Sequence, residues 1–384
     1  MKTMVMTLGA FILVVSFSLT VLDAIAEDGD WPYTLTIHPT TELKTPQPGE
    51  HLGISYPCKW KSSDCDLDDF MEHLDVCALY VLHKGTPVLH RVASENEDCA
   101  EKVSRERYGI ASITKSITSL ILGYVILSTD LNLKTTISDE LGRIGINYPN
   151  KKVTIRDLLR MSSGMNWNEK REKESIRINE HSDPDTLKQV VAGRLENAVF
   201  KDKDVGKYNY SGFDTTILGL VIAGRWDLEQ SIDKVLEEQV WKPQGMRKKA
   251  EWKADADRFP SPHCCFYASA GDLAILGQWV LQKYKSGQDQ IANWIRQSIS
   301  DSRETDESCK FKTMEQEIRY GYQWRVLSGD GNGFTAYGAG GQYMHVFPDQ
   351  DVVVVQLSSD ARVSSENWCE AFLVQRAIAD KVAQ

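Results

Sequence analysis

The sequence predicts a mixed α/β (α+β) fold in which one sheet is built from both ends of the chain and carries a helical insertion. Three observations point there: a hairpin pattern around Ala78 to Val92, Val-rich strand patterns beyond Arg319, and a run of helical patterns between them. With 42% hydrophobic and 26% charged residues over 384 positions, the chain has the composition of a globular protein with a large core, which excludes disordered and fibrous classes.

Taken in order, Lys2, the apolar run from Met4 to Leu22 and Ala24-Ile25-Ala26 have the three-part pattern of a secretory signal peptide over residues 1–26, with cleavage expected after Ala26. The competing reading is an uncleaved anchor, since about 19 apolar residues nearly span a bilayer. Residues 27–76 are a polar, Pro- and Asp-containing extension without a clear period, expected to wrap the main domain, which spans 77–384. Ala78 to His83 and Pro87 to Val92 read as a hairpin across Lys84-Gly85-Thr86. Ser119 to Leu127 is apolar on nearly every side, so its helix belongs in the core. Thr154 to Met161, Thr186 to Leu195, Thr215 to Gly224, Ala268 to Tyr284 and Gln288 to Ile299 read as helices. Strands are expected at Arg319 to Leu327, Gln342 to Phe347 and Asp351 to Ser358, with a closing helix from Asn367 to Ala383. The sheet part therefore takes about 77–130 and 310–384, and the helical part about 131–309.

A net charge of −10 gives no electrostatic footprint for nucleic acid. Eight cysteines fit an exported protein in an oxidising compartment, secreted or periplasmic. Cys58 and Cys65 are placed to close a short loop and Cys77 to meet Cys99 across the first hairpin, but eight cysteines allow 105 connectivities and the full pairing stays open. There is no Cys-x-x-Cys and no His pair at i, i+4, so no metal and no cofactor are expected.

Chemistry is concentrated in Ser112-Ile113-Thr114-Lys115. Residues at i and i+3 share a helix face with Cβ atoms roughly 5–6 Å apart, which brings the amine to the hydroxyl. A neutral, desolvated amine is a competent base where a solvated ammonium is not. The bland alternative is a helix N-cap serine with a solvated lysine. A second such spacing, Ser231-Ile232-Asp233-Lys234, sits in a charged amphipathic stretch, Glu229 to Gln239, that reads as an exposed helix face.

Tyr210, in the loop Lys207 to Asp214, is a candidate phenol relay for protons; the alternative is a packed aromatic. Asn209-Tyr210-Ser211 is also a glycosylation sequon, and a glycan there is incompatible with a catalytic Tyr210. Phe334 to Gln342 is Gly-rich and runs into a strand, where a backbone N–H can join that of Ser112 as an oxyanion hole. A Ser-His-Asp triad is the rival catalytic arrangement, with His263 and His345 available, but no Gly-x-Ser-x-Gly elbow exists.

Together, Ser112-x-x-Lys115, the Tyr210 loop and the Gly-rich strand resemble, in that order, the penicillin-recognising serine hydrolases. The nearest likeness is to the class C β-lactamase-related group with its esterases, D-stereospecific peptidases and 6-aminohexanoate-dimer hydrolases. The likeness extends to Val153 through Met165, Trp241 through Met246, Cys264 through Asp272, and Gly341 through Val355. The double cysteine and the form from Tyr208 to Thr215 are most similar to the 6-aminohexanoate-dimer hydrolase branch.

The resemblance implies a β-lactamase/transpeptidase-like fold, an antiparallel sheet flanked by helices plus an all-helical region, with the site in the cleft between. It implies Ser112 as acylated nucleophile, Lys115 as base, Tyr210 as proton shuttle, and the backbone N–H groups of Ser112 and Ala339 as oxyanion hole. Tyr208, Gly212, Tyr337, Gly338 and Gly340 are the substrate-binding candidates that follow. The chain departs from the pattern twice. Ala336-Tyr337-Gly338 stands where β-lactamases and penicillin-binding proteins carry Lys-Thr-Gly or His-Thr-Gly, and Gly212 stands where many relatives carry Asn. The first departure removes an anchor for a substrate carboxylate. The expected function is an exported serine hydrolase of a small ester or amide, needing no stable membrane insertion after signal cleavage. The alternatives are a weak or inactive relative serving as a binding protein, and a β-lactamase or DD-peptidase.

Overall fold

The computed structural model describes residues 31–42, 49, 51–169, 186–225, 231–311, 314–328, 333–359 and 365–384. The proposed signal segment, most of the charged stretch from Asn168 to His181, and Glu229 and Gln230 lie outside them.

The main sheet has eight antiparallel strands in the order β3-β2-β12-β11-β10-β9-β8-β7. Its left half joins the two ends of the chain: β2 (Val76–His83) pairs with β3 (Thr86–Val92) on one side and with β12 (Val352–Ser358) on the other. β11 (Gln342–Phe347), β10 (Gly333–Gly338), β9 (Arg325–Ser328), β8 (Met314–Tyr320) and β7 (Arg303–Phe311) complete it. Both faces are covered, and the strand residues divide between them by alternation. Ala78, Tyr80 and Leu82 with Val353, Val355 and Leu357 join the larger core. Val76, Leu79 and Val81 with Val352 and Val354 join the other. A strand buried on both sides reads as a continuous apolar run, which is why the Val-rich pattern near residue 352 is legible. Each fully buried Val stabilises the fold by roughly 1.5 kcal/mol or more.

The larger core is filled by helices. α3 (Ile113–Ser128) is buried almost all round and packs on α7 (Gly212–Arg225), α10 (Gln290–Ser300) and β10. α9 (Ala270–Ser286) lies on β2, β11 and β12. On the opposite face sit α1 (Leu67–His73) and the closing helix α11 (Ser365–Val382). Between residues 97 and 240 come α2 (Glu97–Arg105), α4 (Ile137–Arg143), α5 (Ile155–Leu159), α6 (Leu187–Glu196) and α8 (Ile232–Leu236). Thr154 and Thr186, where the sequence starts two of these, are their N-caps: each closes a capping box, with Asp157 and Gln189. Among the described residues no helix is long and apolar enough to cross a membrane.

Three expectations need correction. The extension is not patternless, since Tyr33–Ile37 forms β1, which pairs with β5 (Ala250–Ala254) in a small sheet completed by β6 (Phe266–Ala268) and β4 (Tyr108–Gly109). Arg319 to Leu327 is not one strand but the end of β8, a turn and the start of β9. The break is at Gly321, where a Cβ would overlap the Ser298 carbonyl oxygen. Finally, the charged stretch around Ser231 is not an exposed face: Ile232, Asp233, Val235, Leu236 and Glu237 are buried, with Glu237 taking Lys242 and the His38 N–H.

Cys58–Cys65 and Cys77–Cys99 are disulfides, as their spacing allowed. The other two join the adjacent Cys264 and Cys265, and Cys309 of β7 to Cys369 of α11.

Candidate active site

β4 delivers the chain to Ala111, whose φ of 45° is left-handed. An L-residue pays about 1–2 kcal/mol for that conformation, and the bend places Ser112 at the N-cap of α3. Ser112 makes no side-chain cap bond. Its Oγ instead receives a hydrogen bond from Lys115 Nζ at 2.8 Å. The same amine donates to the His263 carbonyl at 2.9 Å, and Lys115 is only 2% exposed. Neither half of the bland reading holds, because the serine does not cap and the lysine is not solvated.

The Tyr210 loop is pinned on both sides. Asn209 N–H donates to the Met161 carbonyl at 2.7 Å, and its side-chain amide donates to the carbonyls of Met165 and Trp167 at 3.3 and 3.0 Å. The sequon asparagine is thus engaged in the fold. Tyr210 lies with its ring centroid 5.1 Å from Lys115 Nζ, within range of a cation–π contact. Gly212 opens α7, and its N–H donates to Glu169 Oε2 at 2.8 Å, an oxygen that also takes Trp167 Nε1 at 2.6 Å.

The third segment arrives from the sheet. Gly338 ends β10 against the chain just before Ser112: a Cβ there would run into the Ile110 carbonyl oxygen and crowd Ala111. Ala339 follows at once and is exposed, and Gly340 turns the chain with φ 80°. Tyr337 packs its ring 4.9 Å from Tyr343 and 5.7 Å from Trp368. The Ser112, Tyr210 and Gly338 segments therefore meet through Lys115 and Ile110.

Several residues that organise this region carry no sequence motif. Gln323 ties the helices to the sheet. Its carbonyl accepts from Ser116 Oγ at 2.6 Å, its Oε1 from Thr215 Oγ1 at 2.8 Å, and its Nε2 donates to the Leu158 and Leu159 carbonyls. Arg325 is held by Glu307 through two bonds of 2.8 and 3.0 Å, and Tyr208 donates its hydroxyl to the same carboxylate at 2.7 Å. Burial pushes the Glu307 carboxyl up, but the charge and hydrogen bonds of Arg325 and the Tyr208 hydroxyl outweigh it and hold it below the usual range. Burial, reinforced by Glu307, holds the Tyr208 phenol well above its usual value.

Beneath the loop, Asp214 is 1% exposed and neither carboxyl oxygen makes a hydrogen bond of good geometry among the described residues. Burial pushes it up to about 7, against the pull of nearby Ser163 and Ser211. The histidines of the rival triad are occupied elsewhere. The His263 ring meets Thr216 and Ser261. His345 bonds Gln375 in the sheet's other core, where burial pushes it down to about 3.

A family model, Beta-lactamase, matches residues 66–367. The chain belongs to the Beta-lactamase family. Its members are serine hydrolases, and this chain is one in that general sense. No curated relative matches the sequence. Solved structures with the same fold include a protein provisionally called a 6-aminohexanoate-dimer hydrolase from Bacillus anthracis, 18% identical, with TM-score 0.72 and 91% of each chain covered. Another is a penicillin-binding protein from Bacillus halodurans, 18% identical with TM-score 0.58, over 81% of this chain and 98% of that one. A third is EstCE1, a hydrolase with promiscuous acyltransferase activity, 14% identical with TM-score 0.59, over 81% and 95%. At these identities the likeness is one of fold. Within this β-lactamase-family fold, the Ser112–Lys115 pair lies where the β4 turn, α3 and the end of β10 converge.

Proposed function

We propose that this protein is an exported serine hydrolase that cleaves a small ester or amide bond through an acyl-enzyme on Ser112. One observation carries the reading: the buried Lys115 amine, 2.8 Å from Ser112 Oγ. In this mechanism Ser112 Oγ attacks the substrate carbonyl carbon while the Lys115 amine takes the hydroxyl proton. The oxyanion is received by the backbone N–H groups of Ser112 and Ala339. Tyr210, against the Lys115 amine, returns the proton to the departing alcohol or amine. Water then attacks the acyl carbon by the reverse proton path and frees Ser112. Tyr208, Gly212, Tyr337, Gly338 and Gly340 border the substrate.

Hydrolase chemistry is supported by the family, and two solved structures of the same fold are titled, the first provisionally, a 6-aminohexanoate-dimer hydrolase and a hydrolase with promiscuous acyltransferase activity. The four disulfides fit the oxidising compartment that a signal segment over residues 1–26 implies. A β-lactamase or DD-peptidase activity is the weaker reading, because Ala336-Tyr337-Gly338 brings no cation of its own. The test is the intact mass of the mature protein after a fluorophosphonate, beside Ser112→Ala, followed by nitrophenyl-ester turnover. A single adduct in wild type alone is expected. No adduct on folded wild type overturns the proposal in favour of a binding role.

A further inference from the structure

Two basic side chains reach the Tyr210 ring. Lys115 Nζ lies 5.1 Å from its centroid and Arg325 Cζ 5.2 Å. They are held differently. Lys115 is bonded to a hydroxyl and a carbonyl, both uncharged. Arg325 faces a carboxylate: Nε and Nη2 each donate to an oxygen of Glu307, in the two-pronged geometry that suits guanidinium and carboxylate. Both side chains are largely withdrawn from solvent, 9% and 19% exposed. Aromatic rings face the guanidinium: Tyr337 at 4.9 Å, Tyr320 at 5.7 Å and Trp368 at 5.8 Å, besides Tyr210.

The strand that in related enzymes carries a cation for the substrate's carboxylate has none here. A cation does stand one strand away, because Arg325 of β9 pairs in register with Thr335 of β10. A carboxylate brought to it, however, must share the guanidinium with Glu307, and like charges in so dry a place repel strongly. Tyr208 donates to the same Glu307 oxygen that takes Arg325 Nη2, so three hydrogen bonds keep the carboxylate from swinging away.

We propose that Glu307 is a specificity-determining residue: by neutralising Arg325 beside Tyr210, it makes this a site for uncharged acyl groups lying against Tyr208, Tyr337 and Trp368, and turns away substrates whose acyl part ends in a carboxylate. The inference rests on Ser112 being the acylated nucleophile.

The experiment compares nitrophenyl pentanoate with the nitrophenyl monoester of glutarate, acyl groups of matched length that differ in a terminal carboxylate. Wild type is expected to favour the neutral ester in kcat/KM by about tenfold or more. Glu307→Gln keeps the shape and removes the charge, and is expected to shift that ratio toward the anionic ester by about tenfold. A wild-type preference for the anionic ester, or an unchanged ratio in folded Glu307→Gln, overturns the inference. Should that variant fail to fold, as judged by thermal unfolding, salt dependence in wild type decides. An unpaired Arg325 makes turnover of the anionic ester fall with rising salt relative to the neutral one, which overturns the inference; no such fall supports it. Failure of the function itself looks different, with neither ester cleaved and no fluorophosphonate adduct on Ser112.

Discussion

Gly338 faces the carbonyl of Ile110 so closely that no side chain fits between them. That contact is where the last part of the sheet meets the turn that presents Ser112, two residues on. Gly338→Ala is expected to push β10 away from the turn, costing about 1–3 kcal/mol of stability and at least about tenfold in ester turnover. Thermal unfolding and nitrophenyl-ester kinetics on the same preparation check both. A variant with normal turnover shows that the two segments need not touch.

Ser112→Ala removes the nucleophile without opening a cavity or breaking a helix cap, so the unfolding temperature should stay close to that of wild type. Turnover should drop by about a thousandfold or more. Equal turnover by mutant and wild type ends the acyl-enzyme mechanism.

Lys115→Met fills the same slot without a base. Turnover should fall nearly as far as with Ser112→Ala, because removing one member of a unit costs about as much as removing both. Combining the two changes should therefore add little, and a double variant far slower than either single one would show that the residues act independently.

Tyr210→Phe keeps the ring that meets Lys115 and Arg325 and removes only the hydroxyl. A drop of about a hundredfold or more in kcat is expected if the phenol relays the proton, largest for poor leaving groups. Leaving-group dependence measured across a series of phenyl and alkyl esters checks it, and a uniform loss argues for a packing role.

Asp214 makes stability depend on pH. Its folded value of about 7 lies above the unfolded value near 4, so the folded chain binds this proton more tightly. Its contribution is full below about pH 4 and is lost as pH rises through 7. Asp214→Asn stays uncharged throughout. It should raise the unfolding temperature at pH 8, by on the order of 1–3 kcal/mol of stability, and leave it little changed near pH 4. A gain of equal size at both pH values rules out titration as the cause.

Elements whose pattern is local were legible in the sequence. The apolar β11 and β12, the capping threonines at Thr154 and Thr186, and the all-apolar α3 announce themselves within a few residues. The Ser112–Lys115 approach follows from helix geometry alone. What stayed hidden is long-range. Short strands such as β1 and β6 gain their order by pairing with β5, which for β1 lies more than 200 residues along the chain. Gln323 and the Glu307–Arg325 pair look like surface polar residues until the sheet brings them beside the Tyr210 loop. The buried face of α8 was masked by its charges, since Asp233 takes Ser231 locally while Glu237, just after it, meets the His38 N–H only in the folded chain. Gly321 broke an expected strand because of a carbonyl on another element.

The pairing of β2, ending at residue 83, with β12, starting at residue 352, also sets a clock for synthesis. At about 5–20 residues per second, β2 waits on the order of tens of seconds for its neighbour to emerge from the ribosome. Until then a strand with apolar side chains on both faces has one edge unpaired, and the turn bearing Ser112 lacks the β10 segment that closes against it. A nascent chain halted anywhere before residue 338 would hold the Ser112–Lys115 sequence without its finished surroundings, so the onset of the proposed ester turnover would mark the moment the end of β10 and the strands after it have docked.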